Sequence, residues 1–146
     1  MIYNKYDLFM KKSVVCESAV DYCVKNPDEV YNFAVQVMKM SEQAQEVFAI
    51  ISLNSKGDVI GFSEITRGTL NSSLIHPREV FKVAFLQNAA SIIAVHNHPS
   101  GDPSPSGDDL ATTKRLKECG EILGVPLIDH IIVGDYKYSF KENNYI

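Results

Sequence analysis

The sequence predicts an α/β layer architecture built around a mixed β-sheet. Apolar residues at helical spacing alternate along the chain with runs of β-forming residues, two pairs of those runs are joined by turns short enough for hairpins, and residues 90–95 form a continuous apolar run suited to a strand buried on both faces. At 146 residues the chain falls in the size range of one compact domain.

Residues 3–12 follow no clean period and read as a leader, residues 13–16 as a short extended piece, and Ser18 followed by Asp21 as a capped helical start. Leader and short helix together make up residues 1–26, ahead of a domain over 27–146. Asn26-Pro27 opens an amphipathic helix whose Val30, Phe33, Ala34, Val37 and Met38 share one face, which should pack on a sheet. Residues 46–53 and 59–66, separated by the polar turn 54–58, read as an antiparallel hairpin. Pro77 with Glu79 opens a second helix, with His76 just before it, Val80, Val83, Ala84 and Gln87 on one face, and an end near Asn88. The apolar run 90–95 then delivers the chain into His96-Asn97-His98. Three of the six prolines stiffen the loop 99–107. A third helix starts at about Gly107, carries Leu116, Cys119, Gly120 and Leu123 on its apolar face, and ends at Gly124. Residues 125–133 and 136–140 supply two more strands around the Gly134-Asp135 turn.

Composition narrows the function classes. Hydrophobic residues at 45%, charged residues at 22%, 8 Gly and 6 Pro are ordinary for a globular chain. No apolar run approaches the roughly 20 residues that cross a bilayer. Fourteen basic against eighteen acidic residues leave a formal charge of -4, which gives nucleic-acid binding no electrostatic support. Cys16, Cys23 and Cys119 match no disulfide or zinc-finger spacing and read as reduced thiols. Residues 1–12 carry charge throughout and lack an apolar export signal, so the expected compartment is the cytoplasm.

The chemistry concentrates after residue 95. His96 and His98 are two apart at a strand exit, a spacing that turns both imidazoles to one face. Ten residues separate His98 from Asp109, which falls in the first turn of the third helix and can return toward the strand end. Two imidazoles and one carboxylate suit a catalytic metal, since such sites use three protein ligands and keep a position for water, whereas structural zinc sites are closed by four. Metal-activated water needs a base from another strand. Glu46, just before an apolar run, is the candidate and Glu64 its rival; Ser106 is placed to donate to a developing oxyanion. Ser106 and Asp109 equally form a helix capping pair, and one residue can serve both ends. His130 reads as a satisfied, partly buried histidine rather than a fourth ligand, with a supporting role behind the ligands left open. The polar segment 67–73 suits a cleft lining or a turn and is assigned no role.

The motif His96-Asn-His-Pro-Ser-Gly-Asp-Pro-Ser-Pro-Ser-Gly-Asp-Asp109 resembles the JAMM (MPN+) metalloprotease motif, and its Pro-Ser-Gly wording resembles the bacterial RadC family. Residues 67–80, 88–93 and 127–134 resemble the same family, so the likeness spans roughly residues 30–140. The resemblance implies a JAB/MPN domain: a three-layer, cytidine-deaminase-like α/β fold with a mixed central sheet flanked by helices. It implies one zinc ion per chain, held by His96, His98 and Asp109, with Glu46 as general base and Ser106 as the motif serine. The expected activity is a zinc-dependent hydrolase of the metallopeptidase or isopeptidase type, in which metal-activated water attacks an amide carbonyl of a peptide or protein substrate. The alternative is a non-catalytic accessory module in DNA repair or mobile-element maintenance, since the RadC name carries a DNA-repair label; the helix-hairpin-helix-like N-terminal region of typical members is not read in this chain. A nucleobase deaminase is disfavoured by the missing Pro-Cys-x-x-Cys and His-x-Glu elements.

Overall fold

Asn26 sets the first described helix. Its Oδ1 accepts the Glu29 amide at 3.0 Å, Pro27 occupies the first turn, and α1 runs over Pro27–Gln36. The computed structural model describes residues 1, 3–5, 11, 13, 24–68 and 75–146. Cys16, Cys23, the helical start at Ser18 and Asp21, and most of the segments 13–16 and 67–73 lie outside the described residues. Val37 and Met38, expected inside the helix, instead end it, both amides turning to the Phe33 carbonyl. Lys39 then adopts a left-handed φ of 56°, and a 3-10 turn over Met40–Glu42 brings Met40 into the core beneath α1.

The strands are β1 (Val47–Leu53), β2 (Val59–Arg67), β3 (Ser91–Asn97), β4 (Leu127–Val133) and β5 (Lys137–Ser139), in the sheet order β2-β1-β3-β4-β5. β1 pairs antiparallel with both β2 and β3, β3 parallel with β4, and β4 antiparallel with β5, so the sheet is mixed as expected. The parallel pair is joined by a crossover through α3 (Gly107–Leu123), and the stretch containing the helix Pro77–Leu86 carries the chain from β2 past β1 to β3.

Strand alternation sorts the core into two layers. Ile51, Ile93, Val95, Ile131 and Val133 face α1, while Phe48, Ile50, Ile92, Ala94 and Leu127 face α2 (Pro77–Leu86) and α3. Helices on both faces of one sheet make the three layers. Gly124 ends α3 in the left-handed region at φ 72°, where a glycine carries no Cβ penalty.

The inner face of α3 departs from its apolar period. Leu116 and Gly120 are buried as expected, but Leu123 is 44% exposed and the thiol of Cys119, in no disulfide, is half-buried. Asp109, Thr112 and Thr113 are buried in their place, so the first half of this face is polar. It meets His96 near the end of β3 and His130 in the middle of β4, both buried. Among the described residues no helix is long and apolar enough to cross a membrane.

Candidate metal centre

β3 carries His96 to the centre of the sheet end, where Phe48 of β1 lies beside it in register and the imidazole is fully buried. His98 follows just past the strand, still tied by its amide to the Val133 carbonyl at 2.8 Å. The period of two turns both rings toward the α2 and α3 side of the sheet. α3 starts at the same end, capped by Ser106, and this cap delivers Asp109 to the two rings.

The three residues come together. The Nε2 atoms of His96 and His98 lie 2.9 Å apart; Asp109 Oδ1 is 3.2 Å from His96 Nε2, and Oδ2 is 3.5 Å from His98 Nε2. Ligand atoms of all three lie within 4.8 Å of one another, so the group could hold a metal ion. The donor chemistry fits. His98 Nδ1 is 2.8 Å from the Asp102 carbonyl, which can only accept, so Nδ1 carries a proton and Nε2 is the ring atom turned into the group. The ligand loop that provides that carbonyl is itself held: the Gly101 carbonyl accepts the Asp135 amide at 2.7 Å.

Charge at the group is set by competition. Burial works against ionisation of Asp109, but the His96 and His98 imidazoles and the Ser106 amide outweigh it and hold the carboxyl far below the usual range. His98 is raised, chiefly by Asp109, with burial opposing and the Asp102 carbonyl and the charge of Glu46 adding to the rise. Burial drives His130 well below the ordinary imidazole value.

The two candidate bases are separated by their surroundings. Glu46, half-buried just ahead of β1, is close enough to His98 for its charge to act on that ring. Glu64 is exposed on β2 and forms a two-pronged ion pair with Arg67, at 2.9 and 2.7 Å. Ser106 donates its hydroxyl to Asp109 Oδ2 at 2.8 Å and accepts the Asp109 amide at 3.1 Å; its own amide donates to Oδ2 at 2.7 Å. The capping pair is therefore present, and the hydroxyl proton is committed to the carboxylate.

Three further residues matter at this end of the sheet. Asn97, pointing away from the histidines beside it, accepts the Val47 amide at 2.8 Å and donates to the Gln45 carbonyl at 3.0 Å, gripping the backbone on both sides of Glu46. An asparagine between two histidines is a sequence signal for such a grip, but nothing in the sequence says which segment it holds. His130, expected to be partly buried, is 1% exposed in the middle of β4, and its Nε2 lies 2.8 Å from His96 Nδ1. Thr113 touches His130 in turn, and had no place in an apolar reading of its helix.

A model of the RadC-like JAB domain matches residues 24–145. The chain belongs to that family. It is 50% identical over 126 residues to a UPF0758 protein of Bacillus cereus, and 49% identical over the same length to UPF0758 proteins of Bacillus anthracis and Bacillus thuringiensis. Each alignment takes in 86% of this chain and 55% of the relative, so the chain spans about half the length of the proteins it matches.

Proposed function

We propose that this RadC-like JAB domain is a zinc-dependent hydrolase of amide bonds in peptides or proteins, with His96, His98 and Asp109 as ligands and Glu46 as the proton carrier. The observation that carries this is the meeting of two imidazoles and an ionised carboxylate at the end of β3 and the start of α3, with the charge of Glu46 reaching His98. A zinc ion bound there supplies Lewis-acid activation of water and of the scissile carbonyl. Glu46 takes the proton of the attacking water at its carboxylate and returns it to the leaving nitrogen, as a general base that turns general acid. Ser106 orients Asp109 through the hydroxyl proton it donates, and acts on an oxyanion when that hydroxyl turns from Oδ2.

Elemental analysis of untagged protein, purified without added metal, tests the ligands. Wild type is expected to carry near-stoichiometric zinc and His98→Ala to lose it. On quenched peptides and lysine-linked isopeptides, Glu46→Gln is expected to keep the metal and lose about 10²- to 10⁴-fold in turnover. A folded wild type that takes up no zinc overturns the proposal; equal turnover in Glu46→Gln removes Glu46 from it.

A further inference from the structure

We propose that Thr113 and His130 are positioning residues that lock the ring proton of His96 onto Nδ1, leaving Nε2 free as a metal ligand. The inference starts from an atom with no choice. The Asp109 backbone carbonyl lies 2.7 Å from Thr113 Oγ1 and can only accept, so the Thr113 hydroxyl proton points at it. Thr113 Oγ1 is also 2.6 Å from His130 Nδ1. With the hydroxyl proton already used, this contact takes its hydrogen from the ring, so His130 is protonated at Nδ1.

His130 is 1% exposed, stacked on Phe140 with centroids 4.6 Å apart and edge-on to Phe48 at 5.6 Å. A charged imidazole would be costly in that enclosure, and a neutral one carries a single N–H. His130 Nε2 is therefore an acceptor, and the 2.8 Å contact with His96 Nδ1 takes its hydrogen from His96. The opposite polarity would turn the Thr113 hydroxyl to His130 and leave two oxygens 2.7 Å apart with no hydrogen between them. One carbonyl thus sets the direction of three successive hydrogen bonds.

The relay also closes on itself. It begins on the backbone of Asp109 and ends on His96, whose Nε2 lies 3.2 Å from the Asp109 carboxylate. Without it, His96 gains by placing its proton on Nε2, beside Asp109 Oδ1 and His98 Nε2, where that proton would block the metal position.

The inference rests on the metal-ligand role of His96, His98 and Asp109, and its test separates the two. Long-range proton–nitrogen correlation spectra of metal-stripped, ¹⁵N-histidine-labelled protein at mildly alkaline pH read the tautomer directly. Wild type is expected to show His96 protonated at Nδ1 and bare at Nε2. Thr113→Val, equal in shape but without the hydroxyl, is expected to move that proton toward Nε2 and weaken zinc binding about 10- to 100-fold in a chelator competition; Thr113→Ser restores both. His96 protonated at Nε2 in wild type overturns the relay, as does a Thr113→Val protein with unchanged tautomer and unchanged zinc affinity. Failure of wild type to bind zinc overturns the metal role, while the wild-type spectrum still decides the relay even where the variant does not fold.

Discussion

Ser106 makes three hydrogen bonds to one neighbour. It caps α3 and aims Asp109, so its removal is felt as stability and as ligand geometry together. Ser106→Ala is expected to cost about 1 kcal/mol in chemical denaturation and to weaken zinc binding, because Asp109 Oδ2 keeps the Ser106 amide but loses the hydroxyl; Ser106→Thr restores both. Unchanged denaturation in the alanine variant would show that the box carries no stability. This pair was legible in the sequence because a cap acts over three residues of one chain. For His130 the sequence left a supporting role open without saying which residue it backs, because that depends on β4 lying beside β3, and its neighbours along the chain record nothing of that pairing.

At the scale of elements, the end of β3 is a hub in which successive residues serve opposite faces. His96 and His98 face α3, and Asn97 between them turns back to hold the entry to β1. Asn97→Ala leaves the buried Val47 amide without its partner, at a cost of about 1–3 kcal/mol. Freeing the backbone beside Glu46 is expected to lower turnover while zinc content stays at the wild-type level, as elemental analysis would report. Loss of zinc in that variant would show that Asn97 supports the ligands instead. The elements themselves were largely legible: both hairpins, the strand at 90–95 and the three helices stand close to their expected positions because periodicity and turn chemistry are local. The inner face of α3 was misread at Leu123, which is 44% exposed at the end of the helix, and at Thr112 and Thr113, which are buried, Thr113 against His130 of β4.

Across the whole molecule, β5 and the C-terminal turns are tied to β4 through Asp129, next to His130. Asp129 is buried, accepts the His130 and Lys141 amides at 2.7 and 3.0 Å on Oδ1, and takes the Ser139 hydroxyl at 2.7 Å on Oδ2. Burial nonetheless raises its carboxyl above the ordinary range, outweighing those donors. A raised acid contributes stability that is full below its unfolded value, about pH 4, and lost as pH rises through the folded value. Asp129→Asn keeps an oxygen for both amides and sheds the charge, so its stability relative to wild type is expected to improve as pH rises from about 4 through that window. Denaturation midpoints of the two proteins across this range check it, and a constant difference would show that Asp129 is not a strained charge. The mixed sheet and its helical flanks were legible from the alternation of elements. Strand order was not, since the placement of β1 between β2 and β3 depends on contacts across tens of residues.

The parallel crossover from β3 through α3 to β4 has a temporal side. A ribosome emits Glu46 first, then His96, His98 and Asp109, and His130 only after the crossover helix is complete. A nascent chain ending at Pro126 already carries Glu46, His96, His98 and Asp109, yet lacks the His130 ring that meets His96 Nδ1. On the proposed reading, the proton of His96 is set only once β4 has been made and lies beside β3, so ordering of the site waits on that pairing.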